Sequence, residues 1–532
     1  MSIGCAWQLI DSSSLLAPGS GYVQPNQPCN SPIASIKMRS YKSLQKILSA
    51  GSLCLLSQTV VAQNTASFGL NQMAIKGTSN AAFGADALSS NTTGSLNTAT
   101  GMAALGSNTT GSLNTAIGSR VLYSNRGSYN TGIGGDALYA NSIGEYNTAT
   151  GWEALTTNRE GNYNTATGAQ ALTKNGTGSA NSAYGYQALF SNTEGIFNTA
   201  NGSEALHENT TGSNNTANGK GALFSNTTGN YNTANGYGAL SANVNGQSNT
   251  ANGAFALGSN TWGGENSATG YQALYSNTEG VRNTATGNAA LINNTSGSLN
   301  NATGWDALWS NQTGTYNNAL GAQALVGNTT GWSNTGIGDT ALSYNSVGNG
   351  NSALGARADV TKDSLNGSTA IGARALVNAS NEIRLGDAST LVVEAPVVYT
   401  VSDGRFKANV SESDVKGLEF INKLRPVVYN FDTKKLTEHL TQNMPDSVRQ
   451  KYMEEDFNPS TAIRQSGFIA QEVEAAARQV GYDFNGVRAP ENNTDNYSLS
   501  YAQLIVPLVK AVQEQQQQID KLMKLAASLG YR

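Results

Sequence analysis

Between about Asn80 and Leu342 the apolar positions recur every 17 residues. An Ala-Leu pair marks each unit, ending at Leu88, Leu105, Leu138, Leu155, Leu172 and on to Leu342, with Val in place of Ala before Leu122 and a one-residue deletion before Leu138. A typical unit runs Asn164-Thr-Ala-Thr-Gly168-Ala-Gln-Ala-Leu172, with Asn175 and Gly178 closing it. A fixed short period of this kind predicts a solenoid, in which each coil buries its apolar face only against its neighbours. Helical units are disfavoured, because every coil carries Gly, Asn and Thr in number. Short parallel strands joined by turns fit instead. Gly and Asn are expected to supply positive φ at the corners, Ala and Leu to point inward, and stacked Asn side chains to hydrogen-bond along the axis. Counting Ala-Leu marks gives about sixteen coils, hence a rod on the order of 75 Å at one strand spacing per coil. Its core of small residues is thin, and trimerisation would bury the remaining apolar side.

After Ser402 the pattern changes to helical and strand periods. Residues 415–424 place Leu418, Ile421 and Leu424 on one helix face, and Arg425-Pro426 ends it. Val427 to Phe431 alternates like a strand, residues 436–456 form a polar insertion that is helical in pieces, and Gly467 to Val473 enters another helix. The last helix spans 501–529 with heptads: Ile505, Val512, Ile519 and Ala526 at a, Leu508, Leu522 and Leu529 at d, and Gln515 interrupting the d seam. A coiled coil here implies an oligomer, and the rod upstream favours three chains.

Composition narrows the chemistry. The net charge of −4 leaves no basic footprint for nucleic acid. The two histidines, His207 and His439, are far apart, so no metal or cofactor site is expected. The three cysteines, Cys5, Cys29 and Cys54, all precede the repeats. Met38, Arg39, Lys42 and Lys46 open a basic stretch, followed by a short apolar run and Val60-Val61-Ala62, which has the form of a secretory signal cleaved before Gln63. The run is too short to span a membrane as a helix. Residues 1–37 then form an upstream extension, 38–62 the signal, 63–380 the rod, 381–401 a β collar and linker, and 402–532 a separate module. The product is expected outside the cell or on its surface, with no transmembrane segment after signal removal.

The units Asn351 to Ala358 and Ser368 to Ala375, Asn-Ser-Ala-Leu-Gly-Ala-Arg-Ala and Ser-Thr-Ala-Ile-Gly-Ala-Arg-Ala, resemble head repeats of trimeric autotransporter adhesins, which implies a left-handed parallel β-roll. Asn381-Glu-Ile-Arg-Leu-Gly-Asp387 resembles the β segment that closes such rods in phage tail fibres. Calcium-binding nonapeptide rolls and hexapeptide acyltransferases lack support, since neither an Asp per coil nor a six-residue period is present. Thr-Ala-Thr in several coils (Thr98 to Thr100, Thr148 to Thr150, Thr165 to Thr167, Thr284 to Thr286) leaves an ice-binding rod as a minor alternative. Trp152, Tyr186, Tyr271 and Trp305 share one position after Gly, where an aromatic shields the neighbouring coil or forms a sugar-binding stripe; shielding is the simpler role.

Ser402-Asp-Gly-Arg-Phe-Lys407, Leu424-Arg-Pro-Val-Val-Tyr429, Gly467-Phe-Ile-Ala-Gln-Glu-Val473 and Tyr501 to Glu514 together resemble the intramolecular chaperone of endosialidase-type tail spikes, classed as peptidase S74. The whole chain is similar in organisation to bacterial secreted proteins that carry a tail-fibre domain. The resemblance implies a module that drives trimerisation of the fibre and then cuts itself off between Val401 and Ser402. By motif, Ser402 would be the nucleophile and Lys407 its general base, with Asp403, Arg405, Gln471 and Glu472 as possible supports. Phe406 departs from the Leu more usual there. A Ser-Lys dyad needs no histidine, but its lysine acts as a base only when desolvated. Without the resemblance, Ser402-Asp403 would be read as a turn cap before a helix.

The expectation is therefore a mainly β, elongated trimeric solenoid followed by an α+β chaperone, working as a structural or adhesive fibre. It would have no external substrate, and its partners would be itself and a surface glycan or protein ligand. An uncleaved trimer clamp and a phage-derived tail fibre are the alternatives.

Overall fold

The structure, a computed structural model, describes the backbone of Ala66–Phe68 and residues 75–390, 393, 402–454, 456–493 and 495–530. The signal and upstream-extension readings fall on residues 1–62, outside the described residues.

The repeats form a parallel β-solenoid. Each coil contributes one three-residue strand, such as Thr165–Thr167, and among the described residues these strands make one parallel sheet of 20. Neighbouring strands pair in register at the 17-residue offset, Thr165 with Ser182 and Ala166 with Ala183. At about 4.8 Å per rung the rod is on the order of 90 Å long. That is longer than the Ala-Leu count implied, because four further rungs lie outside the counted coils: Ala66–Phe68 at one end, and Ser352–Leu354, Thr369–Ile371 and Ile383–Leu385, in the predicted collar, at the other.

Inside the rod, the central Ala of each strand and the Ala-Leu pair are fully buried, as in Ala166, Ala171 and Leu172. Two columns of buried Asn flank them. Asn164 Nδ2 donates to the Gly178 carbonyl at 2.9 Å, and its Oδ1 accepts the Asn181 N–H at 3.0 Å. Asn175 Nδ2 donates to the same Gly178 carbonyl at 2.8 Å and to Asn158 Oδ1 at 2.7 Å. The two amide columns thus share one carbonyl in each coil. This satisfies groups whose burial would otherwise cost roughly 1–3 kcal/mol each.

The expected turn chemistry is corrected here. The ladder Asn residues do not hold the left-handed corners; Leu172 (φ 53), Gln170 (φ 59) and Tyr163 (φ 59) do, together with Gly168 (φ 132). A left-handed Leu costs about 1–2 kcal/mol. Complete burial of its side chain, worth roughly 1.5–3 kcal/mol, offsets that, while the Asn side chains are reserved for the ladders.

Among the described residues six α-helices follow the rod: α1 (Leu418–Ile421), α2 (Thr433–Leu440), α3 (Asp446–Met453), α4 (Asn458–Thr461), α5 (Ala470–Gln479) and α6 (Ile505–Ser528). α1 is much shorter than the predicted 415–424, because Gly417, with ψ −105, prevents an earlier start. α6 begins at Ile505 rather than 501, after a 3-10 turn over Tyr501–Leu504. Val427–Asn430 and Arg464–Gly467 form an antiparallel pair from whose ends the α2–α4 insertion projects. Phe420, Val473, Ala476, Ala477, Val480, Phe484 and Leu504 make the module's core.

The insertion seats on the last coils. Leu376 of the rod packs with Leu440, Met444 and Tyr452. Tyr344 donates its hydroxyl to the Asn443 carbonyl (2.8 Å), Tyr452 to the Arg357 carbonyl (2.9 Å), and Lys362 pairs with Asp495 (3.3 Å). Beneath this joint Asp359 is completely buried, accepting from Ser343 Oγ, Tyr344 N–H and Val360 N–H. Burial pushes its carboxyl up to about 7, although these hydrogen bonds pull the other way. Such a carboxyl favours folding while it holds its proton, and that contribution falls from about pH 4 to about pH 7 by on the order of 4 kcal/mol in all. Asp359→Asn is therefore expected to gain melting temperature relative to the natural chain as pH rises from 5 to 7, with a level difference above that. A difference independent of pH would refute the assignment.

A candidate self-cleavage site

A single turn builds the site. Asp403 caps the 3-10 helix Gly404–Phe406, its carboxylate accepting the Arg405 N–H at 2.9 Å. The Arg405 guanidinium folds back on the same carboxylate, Nε to Oδ2 at 2.9 Å. These bonds hold the Asp403 carboxyl below the usual carboxylate range and raise Arg405. With Asp403 occupied by Arg405, Lys407 at the end of the turn reaches back across five residues, and its Nζ donates to Ser402 Oγ at 2.8 Å. The capping role is thus taken by Asp403, and the hydroxyl of Ser402 lies against the amine. Val401 lies outside the described residues.

Ser402, Arg405, Phe406 and Lys407 are all exposed, Phe406 by 76 %. The hydroxyl–amine contact of Ser402 and Lys407 therefore lies open at the surface of the chain.

The other family-like motifs brace the module. Glu472 on α5 is tied to Arg425 through a two-pronged ion pair, and Gln471 lines a cleft with Tyr429, Phe468 and Tyr501. The pair is exposed, so it adds little to stability. Gly467 is needed because a Cβ there would stand 2.2 Å from the Tyr501 hydroxyl, which accepts the Phe468 N–H at 3.0 Å. Pattern reading did not find Glu514: its carboxylate accepts the Leu418 N–H at 2.8 Å and so caps α1, whose own Gly417 has no side chain to do it. The spacing of 96 residues gives no local signal.

The face of α6 bearing Pro507 and Ala511 is buried in the module, whereas Ile505, Leu508, Val512, Ile519, Leu522 and Leu529 are all exposed. The predicted heptad positions thus form an exposed apolar row, interrupted at Gln515, without a partner among the described residues.

Taken together, these features define a β-solenoid rod carrying a C-terminal α+β module. Residues 402–482 of that module match the family described as chaperone of endosialidase. The match starts at Ser402 and ends just past α5, short of the 402–532 over which the motifs extend. No curated protein matches the chain.

Proposed function

We propose that the chain is a secreted homotrimeric fibre whose C-terminal module assembles the rod and then severs itself between Val401 and Ser402. The observation that carries this reading is the 2.8 Å contact from Lys407 Nζ to Ser402 Oγ at the first residue of the chaperone match. A neutral Lys407 amine takes the hydroxyl proton, and Ser402 Oγ attacks the carbonyl of Val401. The C–N bond breaks as the C–O bond forms, giving an ester and a free Ser402 amine that receives the proton. Water then hydrolyses the ester, leaving a Val401 carboxylate and a module that begins at Ser402. Because the turn is exposed in one protomer, the low-dielectric cover that would release the amine's proton comes from neighbouring chains, so that cleavage follows assembly. The exposed seam of α6 gives those chains a place to meet.

The contacts of Tyr344, Arg357 and Leu376 with the insertion, and of Lys362 with Asp495, support a second reading, in which the module remains as an uncleaved clamp. Light scattering on the purified protein, beside Ile519→Asp/Leu522→Asp, tests the shared part of both readings. A three-chain mass is expected for the natural sequence and a one-chain mass for the variant, whose docked α6 face is untouched. A one-chain mass for the natural protein would overturn both.

A further inference from the structure

Two aromatic columns run along the rod, and between residues 129 and 186 they differ. In the first, Tyr129, Tyr146 and Tyr163 occupy successive coils and stack on one another, with centroids 4.6 and 5.1 Å apart, so each ring covers its neighbour's face. In the second, directly after the coil glycine, Trp152 and Tyr186 are two coils apart, as are Tyr237, Tyr271 and Trp305. Ala169, Ala254 and Asn288 stand in the coils between them. These five side chains are about half exposed, and Trp152, Tyr186, Tyr271 and Trp305 make no ring contact among the described residues. A coating that only shielded the coils would be served by the self-stacked arrangement. Aromatics spaced by small residues leave ring faces open to a ligand.

Gly238 follows Tyr237, whereas after Trp152, Tyr186, Tyr271 and Trp305 the next residue is polar and partly exposed: Glu153, Gln187, Gln272 and Asp306. It is held at φ 54–55, so its side chain leaves the rod beside the ring. Gln170 Nε2 donates to Glu153 Oε2 at 2.9 Å and Gln187 Nε2 to Gln170 Oε1 at 2.8 Å, which fixes a row of acceptors and donors alongside Trp152 and Tyr186. Two coils advance the rod by roughly 9.5 Å, close to two successive sugars in an extended β-1,4-linked chain. The only formal charges in these four dipeptides are the carboxylates of Glu153 and Asp306, which oppose a polyanion.

We infer that this column is a linear binding site for an uncharged, extended β-1,4-linked polysaccharide of the cellulose or chitin type. Alternate sugars lie against Tyr271 and Trp305 beside Gln272 and Asp306, and likewise against Trp152 and Tyr186 beside Glu153, Gln170 and Gln187. Tyr237, in edge contact with Phe255, stays outside the site. The inference concerns the rod surface and does not depend on cleavage.

Depletion of the full-length protein onto cellulose and chitin particles tests it, beside Tyr271→Ala/Trp305→Ala and a control, Tyr146→Ala, from the self-stacked column. Melting temperatures confirm that each variant is folded. The natural protein should bind at least one of the two polymers, the double variant should lose at least tenfold, and the control should stay within twofold. Binding of soluble oligomers should strengthen from two to six sugars. Failure to bind either polymer, equal loss in the control, or equal binding to an anionic polysaccharide would overturn the inference. So would a fall in oligomer mass in the double variant without loss of binding, since the column would then be a chain–chain contact.

Discussion

Ser402→Ala is expected to abolish the C-terminal fragment, leaving one full-length chain where the natural protein yields two pieces with the break before Ser402. The substitution removes the hydroxyl proposed as the nucleophile, so the rate should fall on the order of 10³-fold or more. Lys407→Ala should do the same, since the hydroxyl keeps its place but loses the amine 2.8 Å away. Lys407→Arg separates charge from base chemistry: a guanidinium can donate to Ser402 but does not give up its proton in proteins, so it should fail as well. Intact mass and N-terminal sequencing read all four proteins. Cleavage persisting in Lys407→Ala would remove the dyad, and a full-length natural chain would leave only the clamp reading.

In the rod, Gly219→Val is expected to be the most damaging single change, and Gly221→Gln, two residues away, nearly silent. Gly219 sits at φ 135, a region open essentially to glycine alone, and a Cβ there would lie 2.5 Å from the carbonyl oxygen of Gly236 in the next coil. Backbone strain costs about 1–3 kcal/mol. The clash also forces apart two coils that Gly219 N–H helps hold through the Asn201 carbonyl on its other side. The expected loss is roughly 4 kcal/mol or more. Because a solenoid is stabilised coil by coil, that loss should appear as protease cleavage and rapid amide exchange near residue 219, with the flanking coils still protected. Gly221 is also left-handed, at φ 64, but has nothing within 4 Å of a Cβ, and Gln170 and Gln187 fill the same place in other coils. Equal damage from both substitutions would show that the glycine stack does not set the coil spacing.

Much of this was legible in the chain. The 17-residue period is enough to require a solenoid, since coils that short bury an apolar face only against one another. The burial of Ala and Leu follows from the same period, and so do the stacked asparagines. The dyad was legible only through the order of motifs: a Ser-Asp pair before a short turn is common, and the sequence did not show that Asp403 would cap the turn while Ser402 stayed with Lys407. Asn takes the left-handed corner at Asn214 and Asn381, but most asparagines do not, because their amides bond in the buried ladders. Leu could take the corner because its complete burial offsets the strain.

What the sequence alone determined was periodicity: a parallel rod, a change of architecture at Ser402, and an apolar seam along the last helix. Only the tertiary structure decided which side chains meet across long separations, such as Glu514 capping α1, the insertion seated on Tyr344 and Leu376, and Asp359 sealed beneath it. Local periods are set by the backbone's own repeat, so they are written in neighbouring residues. Caps, joints and buried charges depend on distances fixed only when remote segments pack, and no local pattern encodes them.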